Sequence, residues 1–215
     1  MTDMILDTNV MGRRTVLLGM GALLLTGCSD LIGPSSAPQQ LFLLHPTGGA
    51  AVTGPKVGFS LAVSTSTASQ HLSGARIALV KPDGALDVYA DSAWTDRLPA
   101  LVKNVLVEAF EESGRIEAVA GDDDGFHSDY FLEAEIRDFA AHYDVADGIP
   151  TAWVRIAARL APSRGREIFA NINAVHQVQA TANSVPAVVQ AFDQALGQVF
   201  SDIVNWALAA PKPKS

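Results

Sequence analysis

YFLEAEIRDFAAHYDVADGIPTAWVRIAARLAPSRGREIFANINA, residues 130–174, is the stretch that decides the fold. Its apolar and polar residues change places with a period of two. Tyr130, Leu132, Ala134 and Ile136 alternate with Glu133, Glu135 and Arg137, while Ala152, Val154, Ile156, Ala158 and Leu160 alternate with Arg155 and Arg159. Ile168, Ala170, Ile172 and Ala174 resume the pattern after a Pro-Ser-Arg-Gly turn at 162–165. Successive side chains of an extended chain point to opposite faces, so each run is a strand with one apolar and one wet face. Short connections join antiparallel neighbours, which predicts a meander.

Working outward, Val185, Val188, Val189, Phe192, Leu196, Val199, Phe200 and Ile203 recur at helical spacing. With Ser184 as N-cap and Pro186 in the first turn, they predict a helix over 184–208. On the other side, Leu98, Leu101, Val102, Val105, Leu106, Ala109 and Phe110 predict a helix over 94–113 that Gly114 stops. Lys103, Glu108, Glu111 and Glu112 charge its other face. Shorter strand patterns stand at 41–44, 56–64, 76–80 and 115–120, with a polar loop at 64–74 and a Pro-Asp-Gly turn at 81–84. The expected fold is α+β, a two-layer sandwich whose mostly antiparallel sheet carries both long amphipathic helices on one face. One domain is expected over 41–210, and the Pro-Lys-Pro-Lys-Ser tail at 211–215 is expected to be mobile.

The start of the chain has a different character. Arg13 and Arg14 precede an uncharged apolar run from Val16 to Leu25, and Leu25-Thr26-Gly27 lead into Cys28, the single cysteine. The run is roughly ten residues, half of the about 20 that a membrane span needs, so it reads as a signal h-region. Residues 1–27 are thus expected to be a signal peptide. Arg13-Arg14 suits an ordinary basic leader and a twin-arginine export signal alike, and Asp3 and Asp7 make Met11 the expected true start. Leu25-Thr26-Gly27-Cys28 resembles a lipobox, which implies a mature N-terminus at Cys28 carrying an N-acyl diacylglycerol. Each buried methylene contributes about 0.8 kcal/mol, so several acyl chains hold firmly where one binds reversibly. Residues 28–40, rich in Ser, Pro and Gly, are expected to be a lipidated tether reaching on the order of 40 Å when stretched.

The formal charge of −8 argues against nucleic acid and against a basic grip on anionic lipid headgroups. No enzyme is expected. The five histidines (45, 71, 127, 142 and 176) have no metal spacing, and no serine sits in a nucleophile elbow. Asp122, Asp123, Asp124 and Asp129 lack EF-hand spacing and read as a solvated turn. No metal or further cofactor is expected. The second face of the meander is less bland. Phe131, Trp153, Phe169 and Val175 fall out of phase with the inner set and make an outer-face binding surface, unless the chain's own loops cover it.

Residues 86–101, LDVYADSAWTDRLPAL, place a strand, a tryptophan, polar residues and a Leu-Pro before a long amphipathic helix. With Leu41-Phe42-Leu43-Leu44-His45-Pro46, they resemble the ABC-type transport auxiliary lipoprotein family, which includes the paraquat-inducible protein C lipoproteins. The likeness departs from the family pattern between Ser64 and Ile77. It implies a periplasm-facing lipoprotein without catalysis, working beside an Mce-type protein and an ABC permease and ATPase that move lipid. Phe131, Trp153 and Phe169 are then the candidate contacts with that partner or with another copy. Ser29 after the lipidated cysteine favours the outer membrane over the inner, against Asp30 one residue later. The alternative is a direct carrier of lipid or another hydrophobic ligand, which needs a cavity between sheet and helices.

Overall fold

A 13-residue strand organises the molecule. In the computed structural model, which describes residues 39–122, 125, 127–164, 168 and 170–210, β7 (Tyr130–His142) pairs antiparallel with β8 (Thr151–Pro162), which pairs antiparallel with β9 (Ala170–Gln179). That meander is the one the alternation predicts. Cys28 and residues 29–38 of its tether, Phe169 and the 211–215 tail lie outside the described residues, while Gln40 of the expected tether already belongs to β1 (Gln40–Phe42).

Along its other edge β7 receives, one after another, β2 (Ser60–Val63), β3 (Thr67–Ala68) and β4 (Arg76–Val80), all running in its own direction. Residues 60–80 are in effect one interrupted strand laid parallel to β7. Beyond β4 lie β5 (Leu86–Trp94), antiparallel, and β1 (Gln40–Phe42), parallel to β5; beyond β2 lies β6 (Ala118–Gly121), also parallel. The overall α+β class holds, but five strand pairings are parallel and three antiparallel, so the expected mostly antiparallel sheet is corrected to a mixed one. Parallel partners are distant in sequence and leave no hairpin signal to read.

The helices are α1 (Leu98–Glu112) and α2 (Val185–Ala209), with Ser184 as N-cap and Pro186 near the start of α2 as expected. Helix α1 starts four residues later than its pattern suggests, because Trp94 still belongs to β5: it is in register with Phe42, and its N–H donates to the Ala75 carbonyl at 2.7 Å. Lys103, expected in solvent, is 8% exposed. The core lies between sheet and helices. Trp94 meets Phe139 and Phe192 edge-on, with centroids 5.8 Å away in both cases, and Phe139 stacks on Phe192 at 4.7 Å. Each such buried side chain stabilises by about 1.5–3 kcal/mol through removal from water.

The segment joining β1 to β2 crosses the helices. The His45 N–H donates to Asp193 Oδ1 (2.8 Å), the Thr47 N–H to the Asp193 carbonyl (2.9 Å), and Ser201 Oγ to the Ala50 carbonyl (3.0 Å). The approach is close enough to require glycine: a Cβ on Gly197 would overlap the Thr47 carbonyl. Burial pushes the Asp193 carboxyl up to about 6, and the His45 N–H opposes that shift.

Candidate docking surface

The outer face of the sheet, away from the helices, is set by one irregularity. Ile136 pairs with Ile156, but Asp138, not Arg137, pairs with Arg155, so Arg137 is the extra residue of a bulge. Before it Leu132, Ala134 and Ile136 point into the core; after it Phe139 and Ala141 do. The outward set on β7 is therefore Phe131, Glu133 and Glu135, then Asp138, Ala140 and His142. Strand β8 keeps its phase and turns Trp153, Arg155, Ala157, Arg159 and Ala161 outward.

Before the bulge the face is charged. Glu135 Oε2 accepts from Arg137 Nη2 at 3.1 Å and lies 3.5 Å from Arg159 Nη2. A groove of about 540 Å³ runs alongside, with Ser64, Thr65, Thr67 and Glu133 in its lining. Past Asp138 and Arg155 it is largely apolar. The Trp153 ring stacks on His142 with centroids 4.3 Å away, and His142 Nε2 lies 3.2 Å from Asp138 Oδ2, which holds the imidazole flat against the indole.

Two rows of side chains continue from there across β4 and β5. Trp153, Ala140, Ala78 and Val88 form one, and His142, Val80 and Leu86 the next. Ala78 and Ala140, small and 4% and 2% exposed, floor a trough between the larger side chains. A depression of about 630 Å³ opens at its β4–β5 end between His71, Arg76, Leu86 and Val88. Leu86 is 56% exposed, so the chain's own loops do not cover this part of the face.

Loop geometry fixes the rim. Tyr143 Oη donates to Asn183 Oδ1 (2.8 Å) and so accepts from Tyr89 Oη at 2.9 Å, while Asn183 Nδ2 donates to the Asp147 carbonyl (3.1 Å). Burial pushes the Tyr89 phenol above its ordinary value, with the Tyr143 hydrogen bond adding to it, so Tyr89 stays a neutral donor. The bonds tie the 143–150 loop, with exposed Val145 and Ile149, to the start of α2.

Phe131 and Trp153 both face outward, as their phase implies, but they do not meet. Phe131 pairs with Ala161, eight residues along β8 from Trp153, about 26 Å at strand rise. Val175 also faces outward, 41% exposed on β9. Ala78, Val80, Leu86 and Val88 were not marked by the sequence pattern, although the Pro82-Asp83-Gly84 turn was a signal: it closes the β4–β5 hairpin, with Gly84 at φ +82°. A hairpin puts Leu86 and Val88 on one face with Val80 and Ala78.

Among the described residues no three His, Cys, Asp or Glu side chains gather to hold a metal ion. Asp129 is engaged elsewhere: its Oδ2 accepts from the Ser60 N–H (2.8 Å) and Oγ (2.9 Å), closing β2 onto β7, while Asp123 and Asp124 lie outside the described residues. None of the described helices is long and apolar enough to cross a membrane.

Comparison with known proteins gives these features a setting. A crystal structure of a Xanthomonas campestris protein superposes with a TM-score of 0.70 at 29% identity, covering 80% of this chain and 95% of that one. A second crystal structure, of an uncharacterised protein, shares the fold at a TM-score of 0.63 and 14% identity, covering 80% of this chain and 99% of the other. An uncharacterised protein of Bradyrhizobium diazoefficiens is 28% identical over 152 residues, or 70% of this chain; the chain spans 40% of that relative's length. The family model described as "ABC-type transport auxiliary lipoprotein component" matches residues 42–204.

Proposed function

We propose that this chain, which belongs to the ABC-type transport auxiliary lipoprotein components, is a non-enzymatic envelope protein that is lipidated at Cys28 and docks through its outer sheet face onto an Mce-type lipid transport assembly. The lipid and the 28–40 tether hold it on the periplasmic face of the outer membrane, within reach of permease, ATPase and Mce subunits. The observation that carries the reading is the trough: a half-buried indole and imidazole and an exposed Leu86 stand around a floor of buried alanines. An open apolar depression of this kind receives a side chain or helix ridge of a partner. Carriage of lipid inside the fold has less room, because Trp94, Phe139, Phe192 and Phe200 fill the space between sheet and helices at 2% exposure or less.

The test is purification of the full-length lipoprotein from its own membranes in mild detergent. Mce-type and permease subunits are expected to co-elute, and Leu86→Asp is expected to cut their recovery about tenfold, as loss of one docked apolar contact does. Thermal unfolding of that variant should match the parent, because Leu86 is 56% exposed. Absence of every transporter subunit from the parent, or full recovery with Leu86→Asp, overturns the proposal.

A further inference from the structure

Among the described residues the longest open edge of the sheet is β9. Strands β1, β3 and β6 end the sheet elsewhere with segments of two to four residues, and residues 86–91 of β5, which β1 leaves unpaired, are blunted by Asp87 and by Asp91 at φ +51°, whereas β9 is ten residues long and pairs with β8 alone. Proteins blunt long edges with lysine, proline, inward charges or bulges, because a row of unpaired N–H and C=O groups templates another strand. Strand β9, ANINAVHQVQ, has no charged residue other than titratable His176, no proline and no bulge in its register with β8.

Its hydrogen-bond phase can be read from one contact. The Ala180 N–H donates to the Pro150 carbonyl at 2.9 Å, and the register continues from there as Gln179 with Thr151 and Val178 with Ala152. Hydrogen-bonded pairs alternate with non-bonded ones in an antiparallel ladder, so the even-numbered residues of β9 bond to β8. Asn171, Asn173, Val175, Gln177 and Gln179 therefore aim their backbone groups at the open edge, and the side chains of the same five residues are exposed on the outer face.

We propose that β9 pairs with β9 of a second copy, the two strands antiparallel about a two-fold axis at Val175. Outward groups can bond only to outward groups, which permits this register: Val175 meets Val175 of the second copy, Asn173 meets Gln177, and Asn171 meets Gln179. All five outward residues of each copy are then used, in about ten N–H···O=C bonds. The side chains agree with the axis. Asn, Asn, Val, Gln, Gln is symmetric by class, so amides face amides across the seam, and on the inner face Ile172 meets Val178 of the second copy. The one titratable side chain of β9, His176, is already engaged by Asp202 Oδ2 of α2 at 2.8 Å, so the outward row itself offers amides and valine, which a copy of the strand matches. The inference rests on β9 alone and does not depend on what the trough binds.

Disulfide trapping of the full chain in its own membranes tests it. Facing Cα atoms of a hydrogen-bonded antiparallel pair lie about 5.5 Å away, inside the range a disulfide spans, so Val175→Cys should yield about tenfold more linked dimer than the parent with Cys28 alone. Asn171→Cys and Gln179→Cys should each stay unlinked by themselves, the like residues standing about 26 Å from one another, yet link when co-expressed. Adding Val175→Lys to that pair should abolish the product, and its exposed position leaves the fold intact. Monomeric Val175→Cys, self-linking of Asn171→Cys, or Val175→Cys linked only to a different protein overturns the proposal.

Discussion

The two halves of the outer face lie on the same strands and follow the same period, yet one is a solvated charge array and the other an apolar trough. In the first, Glu135 is shared by Arg137 and Arg159, with all three side chains 41–44% exposed. Such pairs contribute little, because water and salt already satisfy the charges. In the second, alanines replace the charged positions and Trp153 and His142 stack above them. What separates the halves is the single extra residue at Arg137. A period of two says which side chains share a face; a bulge changes which side chains those are.

The largest effect should come from the ring that the bulge turns inward. Phe139→Ala removes the stack on Phe192 and should cost about 3–5 kcal/mol in urea unfolding. Deleting Arg137 should cost less: the register runs Ile136 with Ile156 and Asp138 with Arg155 on either side of it, so the shortened strand keeps Asp138 outward and Phe139 inward and loses only the bulge. A deletion variant as unstable as Phe139→Ala would mean that the bulge does more than set the phase of residues 138–142.

The halves can next be told apart by truncating one aromatic in each. Trp153→Ala and Phe131→Ala remove half-buried rings and should each cost about 1–2 kcal/mol in urea unfolding. Only Trp153→Ala should reduce recovery of transporter subunits, because Phe131 stands at the other end of β8 beyond the charged array. Equal losses of recovery would extend the docking surface across both halves and end the contrast.

Much of this was legible. Residues 130–174 mark the meander and α2 marks itself by spacing and by Ser184-Pro186. The parallel contacts of β2, β3 and β4 with β7 were not, since periodicity describes a strand's faces and is silent on its partners. Trp94 was drawn into the helix pattern by its apolar neighbours, although Pro99 belongs in the first turn of a helix and so marks a start near 98. The bulge did leave a trace: Arg137-Asp138 puts two polar residues together and Phe139-Ala140-Ala141 three apolar ones, a break in alternation that marks a register shift. The site was half legible, because the phase of Trp153 could be read while its neighbours Leu86 and Val88 come from a hairpin that reaches it only through β4.

Finer comparison needs a pH at which the helical side is constant. Burial raises the folded Asp193 carboxyl to about 6 from 3.8, so its stabilising contribution is complete below 3.8 and is lost as pH rises through about 6. Asp193→Asn keeps an acceptor for the His45 N–H and removes the titration. Parent stability should fall between pH 4 and pH 7 by on the order of 1 kcal/mol more than that of the variant, a figure already discounted for partial solvation. A parallel decline in both would place the titrating group elsewhere.

The smallest effect belongs to the charged half, and its smallness is the point. Glu135→Gln leaves Arg137 and Arg159 without their shared carboxylate, yet both are exposed enough for water to take its place. The expected loss is about 0.2–1 kcal/mol at low salt, vanishing near 1 M salt where the Debye length falls to about 3 Å. Trp153→Ala should behave in the opposite sense, keeping its cost at high salt because removal of an apolar ring from contact is not screened. A Glu135→Gln penalty that survives 1 M salt would mean that the carboxylate is held in a desolvated setting. The charged groove beside Ser64 and Thr67 would then rank with the trough as a place where a partner binds.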